Sequence, residues 1–353
     1  MDESNESLPS TTKKQKIIVG IDLGTRRTAV KSDAGQKFMV KSVVGYPKDI
    51  ISEKMVGVDP IFGADAIEKR NFLDLCYPLA DGVIREASPR DYEAARELLG
   101  HVVALVGEAE DVCGIIGVPA RASIMNKELL LSISKEFMSK ALVVSEPFMV
   151  AYSLNMLTNC IVIDIGAGTV DICGMKGTVP VADDQVTLLK GGNFIDERLA
   201  ASITRHYPGV QVTDSVACSI KEEFSFVGTP PKKAMVTLRF EGKPAEFDVT
   251  EDVGSVCESI IPDICEQLET LIAKFDPEDQ ESTLKNILLA GGGSQIHGLP
   301  ELIAEQLADF GEIKVTAVSD PDYRGCEGAL KLATEIPTEM WNQIGVMFAA
   351  DGE

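Results

Sequence analysis

The stretch IVGIDLGTRRTAV, residues 18–30, decides how the rest of the chain is read. Ile17 to Ile21 is an apolar run of the kind that forms a buried strand, and Asp22-Leu23-Gly24-Thr25 stops it in a tight turn. Thr28 to Lys31 then supplies a return strand. The same plan recurs in CIVIDIGAGTVDI, residues 160–172, where Asp164 falls on Asp22 and Gly166 on Gly24. Two such units at half-chain spacing predict two halves built on one plan. A third glycine turn, Gly291-Gly292-Gly293-Ser294, follows the apolar run Asn286 to Ala290.

Outward from these turns, strand and helix patterns alternate, which makes the chain α/β. A further strand is expected in Lys37 to Val44, and residues 46–84, richer in Gly, Pro and charge, read as a small inserted subdomain. Helical spacing covers Arg90 to Val106, Asn126 to Lys140 behind a Ser123 cap, Phe148 to Leu157, Asp196 to His206 and Asp214 to Phe226. Gly114 to Pro119 and Leu142 to Ser145 are strand-like, the latter ending at Glu146-Pro147. Ala234 to Phe240 and Ala245 to Val249 form a hairpin-like pair. Val253 to Phe275 is amphipathic, with a kink or restart expected at Pro262. Leu299 to Leu307 is helical, Lys314 to Ala317 a strand, and Cys326 to Glu335 a final helix.

Composition removes several function classes. The 353 residues are 45% hydrophobic and 25% charged, ordinary globular proportions with length for about two domains. Lys+Arg 33 against Asp+Glu 55 leaves a net charge of −22. Such a chain repels phosphate backbones and anionic lipid, so nucleic acid is not an expected partner. No apolar run reaches the ~18 residues of a spanning helix, and the polar first sixteen residues lack a signal peptide's apolar segment. The eight cysteines never form C-x-x-C, and the three histidines are scattered, so buried reduced thiols in a cytoplasmic protein are the reading.

Glycine turns let a backbone approach a ligand, and successive N–H groups bind phosphate oxygens. A carboxylate beside such a turn suits magnesium held through its water shell. A lone Asp-x-Gly most often only makes a turn; two paired motifs plus a triple glycine point to a phosphate site. The chain holds no P-loop motif and no G-x-G-x-x-G opening a helix. It also lacks a G-x-S-x-G elbow and an H-E-x-x-H zinc motif.

With these motifs in place, the sequence resembles the superfamily of actin, heat-shock chaperone and sugar-kinase ATPases. GIDLGTRRTAV resembles its first phosphate loop, IDIGAGTVDI its second and LAGGGSQIHGL (289–299) its adenosine loop. SEPFMVAY (145–152) and CEGALKLA (326–333) resemble its two connecting helices, in family order. IKEEFSFVG (220–228) is similar to the actin segment beside adenosine. FGADAIEKR and YPLADGVI are similar to bacterial actins of the MreB type, and the nearest resemblance is to the actin-like filament proteins of magnetotactic bacteria.

That resemblance implies an actin-like ATPase fold, two lobes each on a ribonuclease-H-like core, with four subdomains around a nucleotide cleft. Residues 1–16 would be a disordered polar lead and 17–158 lobe I. Residues 159–325 would form lobe II, with its own insert at about 205–275, and 326–353 a helix returning to lobe I plus a tail. ATP or ADP with Mg2+ is the implied ligand. Asp22 and Asp164 would face the magnesium water shell. Backbone amides of Gly24, Thr25 and Arg26 would hold the β-phosphate region, and those of Gly166, Gly168 and Thr169 the γ-phosphate. Lys221 and Glu222 would contact the ribose and adenine side, with Gly291, Gly292 and Gly293 closing over the nucleotide. Hydrolysis needs a group that orients an in-line water; Glu146 is the first candidate and Asp171 the second. As a residue at a helix start before proline, Glu146 could instead be a structural cap. Arg26 could reach phosphate or turn outward into a salt bridge.

The implied partners are further copies of the chain, stacked head to tail into filaments through residues 46–84 and 227–250, and protein adaptors on magnetosome membranes. The expected place is the cytoplasm, alongside magnetosomes. A plasmid- or cell-shape-type bacterial actin, or a small-molecule kinase on the same fold, would share the ATP motifs. The polar N-terminus and a tail stripe (Met340, Trp341, Ile344, Met347, Phe348) free of Lys and Arg disfavour direct membrane insertion. Packing on its own subunit or on a filament neighbour is expected of that stripe.

Overall fold

A computed structural model describes residues 16–85, 88–107, 109–337 and 341. The expected disordered lead therefore falls outside the described residues, apart from Lys16, which opens the first strand. Of the tail stripe only Trp341 is described.

The chain begins with β1 (Lys16–Leu23), β2 (Arg27–Ser32) and β3 (Lys37–Lys41). A small layer follows, made of β4 (Val44–Pro47), α1 (Ile50–Val56), β5 (Ile61–Phe62), α2 (Gly63–Glu68) and β6 (Leu73–Cys76). The two-stranded ribbon β7 (Leu79–Ala80) and β8 (Val83–Ile84) leads to α3 (Pro89–Leu105). Then come β9 (Asp111–Val118), α4 (Ile124–Ser134), β10 (Lys140–Ser145) and α5 (Glu146–Leu154).

The second half restarts with β11 (Thr158–Ile165), β12 (Val170–Lys176), β13 (Gln185–Leu188) and α6 (Gly192–His206). A second small sheet, β14 (Val210–Gln211), β15 (Met235–Phe240) and β16 (Lys243–Asp248), is interrupted by α7 (Asp214–Phe224). Helices α8 (Thr250–Glu258), α9 (Ile261–Ile272) and α10 (Pro277–Leu284) lead to β17 (Ile287–Ala290). The described chain finishes its regular elements with α11 (Leu299–Gln306), β18 (Val315–Ala317) and α12 (Pro321–Glu335).

The two large sheets repeat one topology. In the first the order is β3-β2-β1-β9-β10, in the second β13-β12-β11-β17-β18. Each is an antiparallel three-strand meander continued by two parallel strands. Even the register agrees, since Asp22 pairs with Ala29 and Asp164 with Asp171. Helices cover both faces of such sheets, which is why β11 is apolar from Cys160 to Ile163 and buried from Cys160 to Ile165, with Asp164 its one charged residue.

Each sheet has its own core, and a third apolar cluster joins them through α5 and α12, with Met149, Val162, Ala329 and Trp341 among its members. The last helix reaches the first strand because glycines let the backbones touch. A Cβ at Gly20 would lie 2.2 Å from the Cys326 carbonyl oxygen, and one at Gly328 only 1.8 Å from that of Met149.

Several boundaries differ from those the sequence predicts. The helix expected to run to Lys140 ends at Ser134, because Lys140 is already paired with Cys113 in the first sheet. The amphipathic run 253–275 is two helices, with Pro262 in the first turn of the second, where its missing N–H costs nothing. The final helix starts at Pro321, five residues before Cys326.

Candidate functional site

A cavity of about 420 Å³ lies between the two large sheets, at the ends of β1, β10, β11 and β17. A buried apolar strand cannot turn without exposing polar backbone, so each of these strands ends where its glycine or carboxylate meets the cavity. Asp22, Gly24, Thr25, Arg26, Glu146, Asp164, Gly166, Gly168, Thr169, Lys221, Glu222 and Gly291 to Gly293 all line it. Of the candidate residues only Asp171 does not.

At one end three carboxyls converge. Asp22 closes β1, with α12 held so near that a Cβ on Gly325 would lie 2.3 Å from its Oδ2. Asp164 sits beside Gly291, whose φ of +70° favours glycine and whose Cβ would lie 2.3 Å from Oδ1. Burial pushes Asp22 up to about 6. Burial, then the charges of Asp22 and Asp171, hold Asp164 well above the ordinary carboxylate range. Glu146 is raised in the same way, by burial first and then by Asp22, Asp171 and Asp164. Its Oε1 is buried without a hydrogen-bond partner among the described residues, and α5 has no side-chain cap bond at its N-terminus. An acid serving as a helix cap would have spent that oxygen on a backbone N–H. Glu146 instead points it into the cavity wall unspent.

The two hairpin turns face this acidic end. Gly166 N–H donates to the Thr169 carbonyl at 2.9 Å, so it shapes its own loop, and this corrects the expectation that its amide is free for phosphate. The N–H groups of Gly24, Thr25, Arg26, Gly168 and Thr169 have no protein acceptor among the described residues, the condition an anion-binding turn requires. The second loop is braced from behind by α6, whose Gly192 and Asn193 N–H groups donate to the carbonyls of Gly166 and Ala167 at 2.9 and 2.7 Å.

Asp171 is only 1% exposed. Its Oδ2 accepts from Thr169 Oγ1 at 2.7 Å, and its Oδ1 from Thr187 Oγ1 at 2.5 Å and Ala120 N–H at 2.8 Å. Burial raises its pKa and these bonds oppose the rise. With its oxygens committed, Asp171 fixes Thr169 and ties it to the first half of the chain; it does not face the cavity as a second catalytic acid would.

A second charged cluster pairs cations with carboxylates. Lys221 Nζ lies 2.8 Å from Asp196 Oδ1 and donates to the Gly192 carbonyl at 2.8 Å. Arg26 Nη1 lies 3.0 Å from Asp196 Oδ2 and also contacts Cys218 Sγ. Arg27 Nη2 pairs with Glu222 Oε1 at 2.7 Å, and its Nη1 with Asp322 at 3.4 Å. Of its two expected courses Arg26 thus takes the salt bridge, with a buried carboxylate of the other half as its partner. Sequence reading missed Asp196, Arg27, Thr187 and Asp322. The pair Gly191-Gly192 opening a helix was the one signal that could have drawn attention to Asp196.

No group of three or more His, Cys, Asp or Glu side chains is arranged to ligate a metal directly among the described residues. Two separated aspartates can still hold a cation through its waters.

The MreB/Mbl protein family profile matches residues 16–340. The actin-like protein MamK of Paramagnetospirillum magneticum is 53% identical over 334 residues, covering 94% of this chain and 96% of its own length. A chain of the MamK double helical filament superposes with a TM-score of 0.89 at 53% identity, covering 92% of this chain and 100% of that one. A non-polymerising MamK mutant bound to AMPPNP superposes at 0.73, again with 53% identity, covering 91% and 100%.

Proposed function

This chain belongs to the MreB/Mbl family of bacterial actin-like proteins, and on that premise we propose that it is an ATPase that assembles into filaments. The observation that carries this reading is the meeting of carboxyls and unpaired turn amides in one cavity. The carboxyls of Asp22, Glu146 and Asp164 line it together with the unpaired turn amides, a layout suited to a nucleotide polyphosphate with a divalent cation. The relatives agree with it, one by the nucleotide analogue it binds and another by the filament it forms.

Hydrolysis of ATP adds water to the γ-phosphorus and breaks its bond to the bridging oxygen, giving ADP and phosphate. The residues contribute mainly position and electrostatics. Gly24, Thr25 and Arg26 would donate backbone N–H groups toward the β-phosphate, Gly168 and Thr169 toward the γ-phosphate. Lys221 and Glu222 stand on the ribose and adenine side, with the Gly291 to Gly293 turn over the base. Mg2+, held through water by Asp22 and Asp164, would neutralise phosphate charge. Glu146, with a free oxygen in the wall, would orient the attacking water; Asp171 keeps Thr169 in place.

Closure of the two halves on ATP would favour head-to-tail assembly, and hydrolysis would weaken it. Residues 46–84 and 227–250 carry exposed apolar side chains suited to such contacts, among them Ile50, Ile51, Met55 and Met235. The nearness to MamK extends the proposal to filaments that organise magnetosomes, reached through protein adaptors; no described helix is long and apolar enough to cross a membrane.

The test is negative-stain microscopy of the purified chain with Mg-ATP, with ADP and without nucleotide, with phosphate release followed on the same samples. Filaments that form with ATP and turn over as phosphate appears are expected. Glu146→Ala should retain assembly while slowing hydrolysis by roughly 10²-fold or more. Dispersed particles throughout, with phosphate moving only to an added acceptor, would replace this reading with a kinase.

A further inference from the structure

Asp196 is 1% exposed and does not line the cavity, yet it holds two of the cations that do. Arg26 comes from the β1–β2 turn of the first half; Lys221 comes from α7 of the second, and Asp196 sits in the first turns of α6 between them. A buried carboxylate must be paired to be tolerated, and the two cations supply that pairing by charge, since neither oxygen of Asp196 has a hydrogen-bond partner among the described residues. The outer pair, Arg27 with Glu222, spans the same gap, but its side chains are 39% and 50% exposed. Solvent and salt weaken an exposed pair far more than a buried one. Of the two bridges, the inner one therefore governs how firmly the halves are tied.

We propose that Arg26 and Asp196 form an interlobe clasp beside the cavity, and that nucleotide passes in and out only when this clasp breaks. Asp196 is thus a positioning residue: it never touches the nucleotide, and acts through Arg26 and Lys221. The proposal rests on the nucleotide-binding reading above, and its signature separates it from a direct contact between Arg26 and phosphate. Losing a direct contact speeds release alone and weakens affinity. Losing a gate speeds binding and release together and leaves affinity nearly unchanged.

The experiment uses the full chain and a fluorescent ADP followed by stopped flow, comparing the wild type with Arg26→Gln and Asp196→Asn. Arg26→Gln leaves the Asp196 to Lys221 pair intact and so keeps the buried carboxylate compensated. Both association and dissociation should rise roughly tenfold in Arg26→Gln, the scale of a lost buried pair, with Kd changed less than about twofold. Raising salt should move the wild type only slightly. Faster release with unchanged association, or no change in either rate, would overturn the clasp. Hydrogen exchange of the nucleotide-free chain over residues 22–30 and 192–200 gives a readout independent of nucleotide. Exchange in Arg26→Gln faster than in the wild type is expected, and equal exchange would refute the proposal. If the wild type binds no ADP, the nucleotide reading fails and the exchange comparison still decides the clasp. Should Asp196→Asn fail to fold, Arg26→Gln alone completes both measurements.

Discussion

Replacing Asp22 by Asn should make the nucleotide-free protein more stable while removing its capacity to work. Burial moves this carboxyl from 3.8 to about 6, and at about 1.4 kcal/mol per pH unit the ionised form costs the fold up to ~3 kcal/mol. Asp22 keeps partial access to cavity water, so ~1–3 kcal/mol is the useful range. The sign follows from proton binding. The folded state binds the proton more tightly, so stability falls as pH rises from about 4 to about 6 and is lowest above that window. Asn has no charge to bury, so the gain should be full at pH 8, about half as large at pH 5 and vanishing below pH 4. Urea unfolding of wild type and Asp22→Asn, without nucleotide or divalent cation, measures this directly. A variant no more stable than wild type at pH 8, or a gain unchanged between pH 8 and pH 5, would show that the acidic end of the cavity is not strained by its own charge. Loss of magnesium-dependent phosphate release in the same variant would complete the trade of stability for function.

Three further outcomes are expected. Gly328→Ala would place a Cβ 1.8 Å from the Met149 carbonyl oxygen, so α12 must lift from α5 and urea unfolding should show a loss of about 2 kcal/mol or more. Ile163→Ala, at a fully buried position of the second sheet, should cost ~2–5 kcal/mol in the same assay. All eight cysteines are buried, so Ellman's reagent at pH 8 should modify them only slowly in the native protein and count eight thiols after unfolding.

Much of this architecture was legible because the decisive segments are strands buried on both faces. There an apolar run, an aspartate and a glycine leave few alternatives, and the repeat at Asp22 and Asp164 reports the duplicated sheet with its register. The same holds for the turn residues around the cavity, whose chemistry and spacing are local. What was not legible depends on partners distant in sequence. Whether Arg26 would seek phosphate or a salt bridge could not be read from GTRRT, because its partner Asp196 lies on an amphipathic helix whose pattern marks only a buried position. Asp171 looks equally able to act as acid or as brace until Thr187 and Ala120 are seen to occupy its oxygens. The helix predicted through Lys140 had periodicity enough to continue; pairing of Lys140 with Cys113 ended it. Helix α10, PEDQESTL, has a single large apolar residue, Leu284, and gives periodicity almost nothing to detect.

The close seating of α12 on β1 at Gly20, and on α5 at Gly328, has a consequence for how the molecule comes into being. Synthesis delivers the chain from its N-terminus, and segments fold as they emerge. All five strands of the second large sheet lie between Thr158 and Ala317, so that half has its full complement while the ribosome still holds the C-terminus. The first half has its strands by Ser145, but β1 waits for a covering helix that begins at Pro321. The part of the protein made first is therefore the part completed last, and until then its sheet must remain without a permanent cover on the side where the last helix docks.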